Sequence, residues 1–309
     1  SFYYNTNSQT ITTPGMYFSP DTLVVNIGDT VGVWYTNAPN SQDVFEDDYM
    51  TLAFNSEDRV SANNWDLARF EFYNEGTLVG FDSISRTWTN GSYTTYVDAS
   101  KDNLTFLGVG PANLKGWSTV YNGYLTAGTV ITDYKVTLET SGGDIVTKER
   151  TFNIKCDGLK GYEPIRLAWL NQYGAWDYHT FNMKSTRSIR TKGSTYEQLS
   201  GTWNSSVYQI DGYKGGKKTF RVNATEKIKM NTDFLTEETS EWFEELINSP
   251  EIYIIEGFQS DQTSASFNTY VVPVRLTSSS HTRKTRANDK LIQYTFEVEK
   301  AKTYNTQAI

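Results

Sequence analysis

Cysteine and histidine are nearly missing from this chain of 309 residues. Cys156 is its single cysteine, and His179 and His281 are its two histidines. One cysteine excludes an intramolecular disulfide and a cysteine-based zinc site, and the two histidines do not lie at the spacing of metal ligands. The Gly-x-Ser-x-Gly motif of hydrolases is absent as well. We therefore predict no catalytic residue, no cofactor and no metal site, and expect packing or oligomerisation to stabilise the fold.

Long hydrophobic runs and a strong basic surplus are also missing. A membrane-spanning helix needs about 18 apolar residues in a row, and a secretory signal needs a basic and then an apolar region; neither pattern occurs. Residues 1–156 carry 9 basic and 18 acidic side chains, and residues 157–309 carry 19 and 18. A dedicated nucleic-acid binder would have a strongly basic domain. We expect no membrane segment and no specific nucleic-acid binding.

Aromatic residues, in contrast, are abundant, with 21 Tyr, 16 Phe and 8 Trp. Short strand-like segments alternate with turn markers such as Asn122-Gly123, which is typical of a β-sandwich. The clearest hairpin pairs residues 134–139 with residues 144–155. We predict an all-β, mainly antiparallel fold, with an acidic β-sandwich domain at residues 1–156 and a second β domain at residues 157–309. The alternative is one large core. Two glycines in residues 157–161 mark the boundary.

The second domain is predicted to contain one α-helix near residues 236–248. Thr236 is a good N-cap, and Glu237 and Glu238 suit the positive end of the helix dipole. Trp242, Phe243, Leu246 and Ile247 recur at helical spacing, and Ser249-Pro250 ends the pattern. The apolar stripe predicts a helix that covers a sheet or closes the end of a barrel, and a face that docks a partner is the less favoured alternative.

Two charged segments invite a ligand interpretation. Asp43, Glu46, Asp47 and Asp48 form an acidic loop that could hold Ca²⁺, although the spacing is not that of an EF-hand, and a solvated charge run is favoured. The basic segment 213–218 is similar to a phosphate-binding loop, but Lys218 stands where that loop requires Ser or Thr. A tight basic hairpin is therefore predicted there.

Carbohydrate chemistry remains an alternative. Trp65, Trp88 and Trp117 lie in turn-rich stretches and could be platforms for sugar rings, although sandwich cores also bury Trp. Carboxylates such as Asp66, Glu71 and Asp177 lie near aromatic residues, but so many carboxylates are present that no glycosidase pair stands out.

Residues 165–305 resemble structural proteins of tailed-bacteriophage virions, especially tail and baseplate proteins. The segments that carry the resemblance are Leu170-Asn-Gln-Tyr-Gly-Ala-Trp-Asp-Tyr-His-Thr-Phe181, Tyr213-Lys-Gly-Gly-Lys-Lys218, residues 234–254, Val272-Pro-Val-Arg-Leu-Thr277 and Asn288-Asp-Lys-Leu-Ile-Gln-Tyr-Thr-Phe-Glu-Val-Glu299. The resemblance implies a non-enzymatic structural component of the virion, in a tail, baseplate or tail-hub ring. It also implies a homo-oligomeric ring that contacts other tail proteins, assembled in the host cytoplasm and located in the virion tail. The alternative is a host-surface glycan-binding or receptor-binding module.

Two sets of residues are candidates for assembly contacts. The aromatic set, whose members are also typical core residues, comprises Trp169, Tyr173, Trp176, Tyr178, Phe181, Trp242 and Phe243. The basic set, which could meet the acidic half of a neighbouring subunit, comprises Lys214, Lys217, Lys218, Arg283, Lys284 and Arg286.

Overall fold

The computed structural model has an all-β, mainly antiparallel architecture with one long helix, which confirms the predicted fold class. The residues that the structure describes are 34–55, 67–85, 89–90, 93–94, 104–140, 142–155, 161–201, 206–210, 215–255, 271–278, 292–301 and 304–305. The chain divides into two compact units. The first unit comprises residues 1–161, 168–180 and 236–250, and the second comprises residues 162–167, 181–235 and 251–309.

The first unit is built on a five-stranded sheet. Its elements up to residue 155 are β1 (Ser41–Phe45), β2 (Thr51–Asn55), β3 (Leu67–Asn74), β4 (Thr77–Ser85), β5 (Thr89–Asn90), β6 (Tyr93–Thr94), β7 (Leu104–Gly108), α1 (Pro111–Trp117), α2 (Thr119–Thr126), β8 (Asp133–Glu139) and β9 (Arg150–Lys155). The strand order in the sheet is β1-β9-β8-β3-β4, and β2 pairs with β7 in a separate ribbon. Strand β1 runs parallel to β9, whereas the other neighbours are antiparallel.

Alternation of side chains explains the core of this sheet. On β3, Ala68, Phe70 and Phe72 are fully buried, while the residues between them are partly exposed. Successive side chains of a strand point to opposite faces, so this pattern gives one buried face and one wet face. The predicted hairpin of residues 134–155 is present, with Tyr134 opposite Phe152 and their rings stacked at 5.2 Å. The β-sandwich-like architecture predicted for this part of the chain thus rests on a real apolar layer.

Helices α1 and α2 were not expected from the sequence. The Asn122-Gly123 pair, interpreted as a turn marker, lies inside α2, so that interpretation was wrong. The Ser118 side chain accepts a hydrogen bond from the Tyr121 backbone N–H at 3.0 Å and caps α2. Leu114 of α1 and Tyr121 of α2 are buried in the core. A cap and two buried anchors outweigh the weak helix propensity of glycine.

Two strands and a helix complete the first unit. Strand β10 (Ile165–Leu170) begins in the second unit and ends in the first, and it neighbours β11 (Trp176–Phe181). The predicted helix is confirmed as α3 (Glu237–Asn248), with the Thr236 side chain accepting from the Thr239 backbone N–H at 3.3 Å. The proposed domain boundary at residues 156/157 stays a prediction, although the first compact unit also takes in residues 168–180 and 236–250.

The second unit contains an antiparallel sheet with the strand order β14-β15-β16-β13-β12. Its strands are β12 (Thr186–Gln198), β13 (Gly216–Asn231), β14 (Ile252–Ile255), β15 (Val271–Leu276), β16 (Thr295–Lys300) and β17 (Tyr304–Asn305). Along β13, residues 227–231 pair with β16 and residues 223–224 pair with β17. The remainder of β13 pairs with β12 alone in the part of the chain that is described, so this hairpin continues as a two-stranded ribbon.

Candidate functional site

The turn between β10 and β11 is organised by Asn171. Its side-chain Oδ1 accepts hydrogen bonds from the backbone N–H groups of Tyr173 and Ala175, both at 3.0 Å. Gly174 has a φ of +78°, a conformation that glycine adopts without the strain of a Cβ atom. A Gly-centred turn therefore joins the aromatic strands β10 and β11.

Aromatic residues of this hairpin pack on α3 inside the first unit. The ring of Trp169 lies 4.8 Å from the ring of Trp242 and 6.4 Å from that of Phe243. The His179 ring meets Phe243 edge-on at 4.9 Å. Trp169, Trp242 and Phe243 are at most 3% exposed, so they form core rather than a free surface.

The other aromatic candidates divide between core and surface. Phe181 is fully buried and packs edge-on against Phe296 at 5.8 Å in the second unit. Tyr173, Trp176 and Tyr178 are partly exposed. The Tyr173 hydroxyl donates to Asn37 Oδ1 at 2.9 Å, and the Tyr178 hydroxyl bonds Thr51 Oγ1 at 3.0 Å. The role of these residues in assembly stays a prediction.

Asp177 forms the centre of a buried polar network that the sequence did not reveal. The Trp242 Nε1–H donates to its Oδ2 at 2.7 Å, and the Asn171 amide donates to its Oδ1 at 3.1 Å. Burial in a dry environment raises the pKa of Asp177 to about 6, although hydrogen bonds from Trp242 and Thr36 oppose the shift. The network joins the aromatic hairpin, α3 and the segment around Thr36.

Two further charged groups belong to this network. Arg150 is 4% exposed, and its Nη1 donates to the Ala38 carbonyl at 2.9 Å. Burial lowers the pKa of Arg150 to about 10, while the charge of Asp177 acts in the opposite direction. Glu245 of α3 accepts a hydrogen bond from the Asn37 amide, and burial raises its pKa. Because Asp177 is only 4% exposed, this arrangement is suited to holding segments together and not to meeting a substrate.

The acidic loop uses its carboxylates within the protein. Buried Asp48 accepts from the Phe45 backbone N–H at 3.0 Å and from the Thr180 hydroxyl at 3.1 Å. Lys115 lies 3.0 Å from Asp47 and 3.7 Å from Glu46, and Lys155 lies 3.5 Å from Asp43. The described residues contain no group of three or more His, Cys, Asp or Glu side chains arranged to hold a metal ion.

The structure describes only some of the residues considered for carbohydrate binding. Trp65, Trp88 and Asp66 fall outside the described residues. Trp117 packs on Phe70 at 5.1 Å, and Glu71 accepts hydrogen bonds from Arg69 and Tyr73. On the wet face of the first sheet, Phe81 is 51% exposed and stands opposite Glu71, with the Arg69 guanidinium 4.1 Å above its ring.

The basic candidates are partly described. Lys214, Arg283, Lys284 and Arg286 lie outside the described residues, whereas Lys217 and Lys218 lie on β13. Strand register places Lys218 on the same ribbon face as Arg190 and Lys192, two cations that are not among the predicted contact residues. Their period-two spacing was the available signal, but only the pairing with β13 joins them to Lys218.

The charge is divided more sharply between the compact units than between the two halves of the sequence. The first unit has 10 basic and 25 acidic side chains and a net charge of −15. The second unit has 18 basic and 11 acidic side chains and a net charge of +7. The first unit is more acidic than residues 1–156 mainly because α3, with five glutamates and no Lys or Arg, belongs to it.

Comparison with protein-family models and with curated proteins adds no relative to these observations. No protein-family model matches the chain, and a search of curated proteins found no significant match. Among the described residues, no helix has the length and apolar character needed to cross a membrane.

Proposed function

We propose that this chain is a non-enzymatic structural component of a tailed-bacteriophage virion, in a tail, baseplate or tail-hub ring. The observation that carries the proposal is the opposite charge of two units within one chain, −15 and +7. Such units favour head-to-tail association, in which the basic part of one copy meets the acidic part of the next. The resemblance of residues 165–305 to phage tail proteins supplies the biological setting.

Exposed apolar residues support an assembly role. Ile189, Ile210 and Phe220 are each 69–70% exposed, and Leu199 is 62% exposed. These four residues lie between positions 186 and 231, the β12–β13 hairpin and its connection. Single exposed apolar residues are common, but several in one hairpin are typical of a surface that another protein covers.

The aromatic pairs support the architectural part of the proposal. Trp169, Trp242 and Asp177 lock the hairpin to α3 inside the first unit, and Asp177 is too deeply buried to act on a substrate. A rigid core of this kind suits a subunit that keeps one shape in an assembly. The protein would then act by position and contact, in the virion tail, without a cofactor.

The test is the solution mass of the purified chain, measured by light scattering across protein concentration and salt. We expect a discrete oligomer of ring size, visible as rings by electron microscopy, that binds other tail proteins of the same virion. A monomer at every concentration, together with saturable saccharide binding, would contradict the proposal.

A second candidate is a host-surface glycan-binding module. It is favoured by exposed Phe81, which lies beside the polar groups of Arg69 and Glu71 on the wet face of the first sheet. Aromatic faces bordered by polar side chains suit sugar rings. Glycan-array binding that is lost in Phe81→Ala, and retained in the control Leu78→Ala, would establish this alternative.

A further inference from the structure

We infer that the β12–β13 ribbon is an arm whose basic face docks on the acidic first unit of a second copy of the chain. The inference rests on the proposed function, because it specifies how copies of a ring subunit would join. The basic face is defined by Arg190, Lys192, Tyr196, Lys218 and Arg221.

Strand register defines this face. Strand β12 is regular, so Arg190, Lys192 and Tyr196 share one side by period-two alternation. On the same side of β12, Tyr196 stands opposite Lys218 and Ser194 stands opposite Arg221. A bulge at this point leaves Phe220 of β13 without a partner on β12 and keeps Lys218 on the basic face. Residues 190 to 196 span about 20 Å at ~3.4 Å per residue.

The cations of the basic face differ in their ion pairing from those near the base of the hairpin, where β12 begins and β13 ends. At the base, Arg187 lies 2.6 Å from Glu163 and Lys227 lies 2.8 Å from Glu297. Further out, Arg190, Lys192 and Lys218 form no ion pair with any described residue. Within the described ranges, Arg221 donates only to the neutral Asn223 side chain, at 2.8 Å. A row of cations without carboxylates is therefore available to an acidic partner.

Exposed apolar side chains occur on both faces of the ribbon. Ile189 is 69% exposed, and Tyr196, on the basic face itself, is 46% exposed. In the described part of the chain β12 is also an edge strand, with no neighbour beyond it. The charges of an edge strand often serve simply to prevent aggregation. That role applies to Arg190 and Lys192 on β12, but it does not account for Lys218 and Arg221 on β13.

A second copy is the favoured occupant because its charge is complementary. The first unit has a net charge of −15, and its carboxylates include those of the exposed residues Glu75 and Asp144. The second unit has a net charge of only +7, modest for a nucleic-acid-binding surface. The acidic unit and the basic arm occur in equal numbers in any assembly of this chain, which allows every copy both to give and to receive an arm.

The first test reverses the charge of the four cations of the basic face in the intact chain. The variant Arg190→Glu, Lys192→Glu, Lys218→Glu, Arg221→Glu should associate at least ~100-fold more weakly than the wild type at low salt, because four attractive pairs become repulsive. Sedimentation velocity measures this change, and circular dichroism verifies the fold. The control Lys184→Glu reverses an exposed cation outside the basic face and should keep the oligomeric mass of the wild type.

The second test identifies the docking partner. A photo-crosslinking amino acid at Ser194 in unlabelled protein, mixed with ¹⁵N-labelled wild type, should give crosslinks from the ribbon to peptides of the first unit of the labelled copy. Crosslinks confined to one copy, or from ribbon to ribbon, would overturn the inference.

The outcomes separate this inference from the proposed function. An unchanged mass for the four-residue variant would overturn the arm and leave a ring built through other surfaces. A wild type that stays monomeric would overturn the arm and count against the ring as well. Binding of a 20-base-pair DNA through the same four residues, without self-association, would overturn the inference and identify nucleic acid as the partner of the basic face.

Discussion

The buried carboxylate of Asp177 makes a quantitative prediction about pH. Its pKa is about 6 in the folded chain, against 3.8 for an ordinary Asp, because burial penalises the charged form. Between these pH values the folded protein binds more protons at this site than the unfolded chain does. The contribution of Asp177 to the free energy of unfolding is therefore largest at low pH and decreases as pH rises through this window.

The magnitude follows from the size of the shift. A shift of ~2 pKa units corresponds to about 3 kcal/mol at ~1.4 kcal/mol per unit. The variant Asp177→Asn lacks this titration. The stability advantage of the wild type over the variant should thus shrink by about 2 to 3 kcal/mol between pH 4 and pH 7.5. An advantage should persist at pH 7.5, because the variant removes a negative charge that favours the charged form of buried Arg150 and turns an amide N–H₂ toward hydrogen-bond donors.

Urea unfolding followed by circular dichroism at several pH values measures both free energies. Other carboxylates titrate in the same range, but they are common to the two proteins and cancel in the difference. The control Asp144→Asn replaces an exposed carboxylate of the first unit and reports the effect of one lost charge. Parallel pH profiles for wild type and Asp177→Asn would refute the reasoning.

Three further substitutions test the packing of the first unit, each by urea unfolding. Trp242→Phe removes a buried donor to Asp177 and part of a large ring, so we expect the free energy of unfolding to fall by about 3 kcal/mol. The control Trp176→Phe should lower it much less, and a smaller effect for Trp242→Phe than for the control would contradict the network. Gly174→Ala should cost about 1 kcal/mol because φ is +78° while no atom lies within 4 Å of the added Cβ, and a neutral result would show that the turn relaxes. Ser118→Ala removes the α2 cap and the 2.6 Å bond to Asp82, costing about 1 to 2 kcal/mol, with Ser118→Thr expected to retain most of the stability.

Local sequence rules account for much of this fold. Thr236, Glu237 and Glu238 specified the start of α3, and Trp242, Phe243 and Leu246 specified its buried side. The glycine turn between β10 and β11 and the hairpin of residues 134–155 follow from turn residues and alternation. Each of these features depends on contacts between residues close in the chain, so the sequence alone determined them.

Local sequence rules did not predict helices α1 and α2. Their glycines favour turns, and the helices form because Leu114 and Tyr121 are buried against strands distant in sequence. The same distant packing decides that α3 belongs to the first unit, which concentrates its glutamates in the acidic unit.

The candidate sites depend even more on tertiary structure. Asp177 became a buried, proton-sensitive group because Trp242, 65 residues later, covers it. The basic face exists because the register of β12 and β13 joins Arg190 and Lys192 to Lys218 and Arg221. The sequence determined which residues could form strands, turns and a capped helix, whereas burial and strand register, which arise from contacts between distant segments, decided which charges are enclosed and which are presented together.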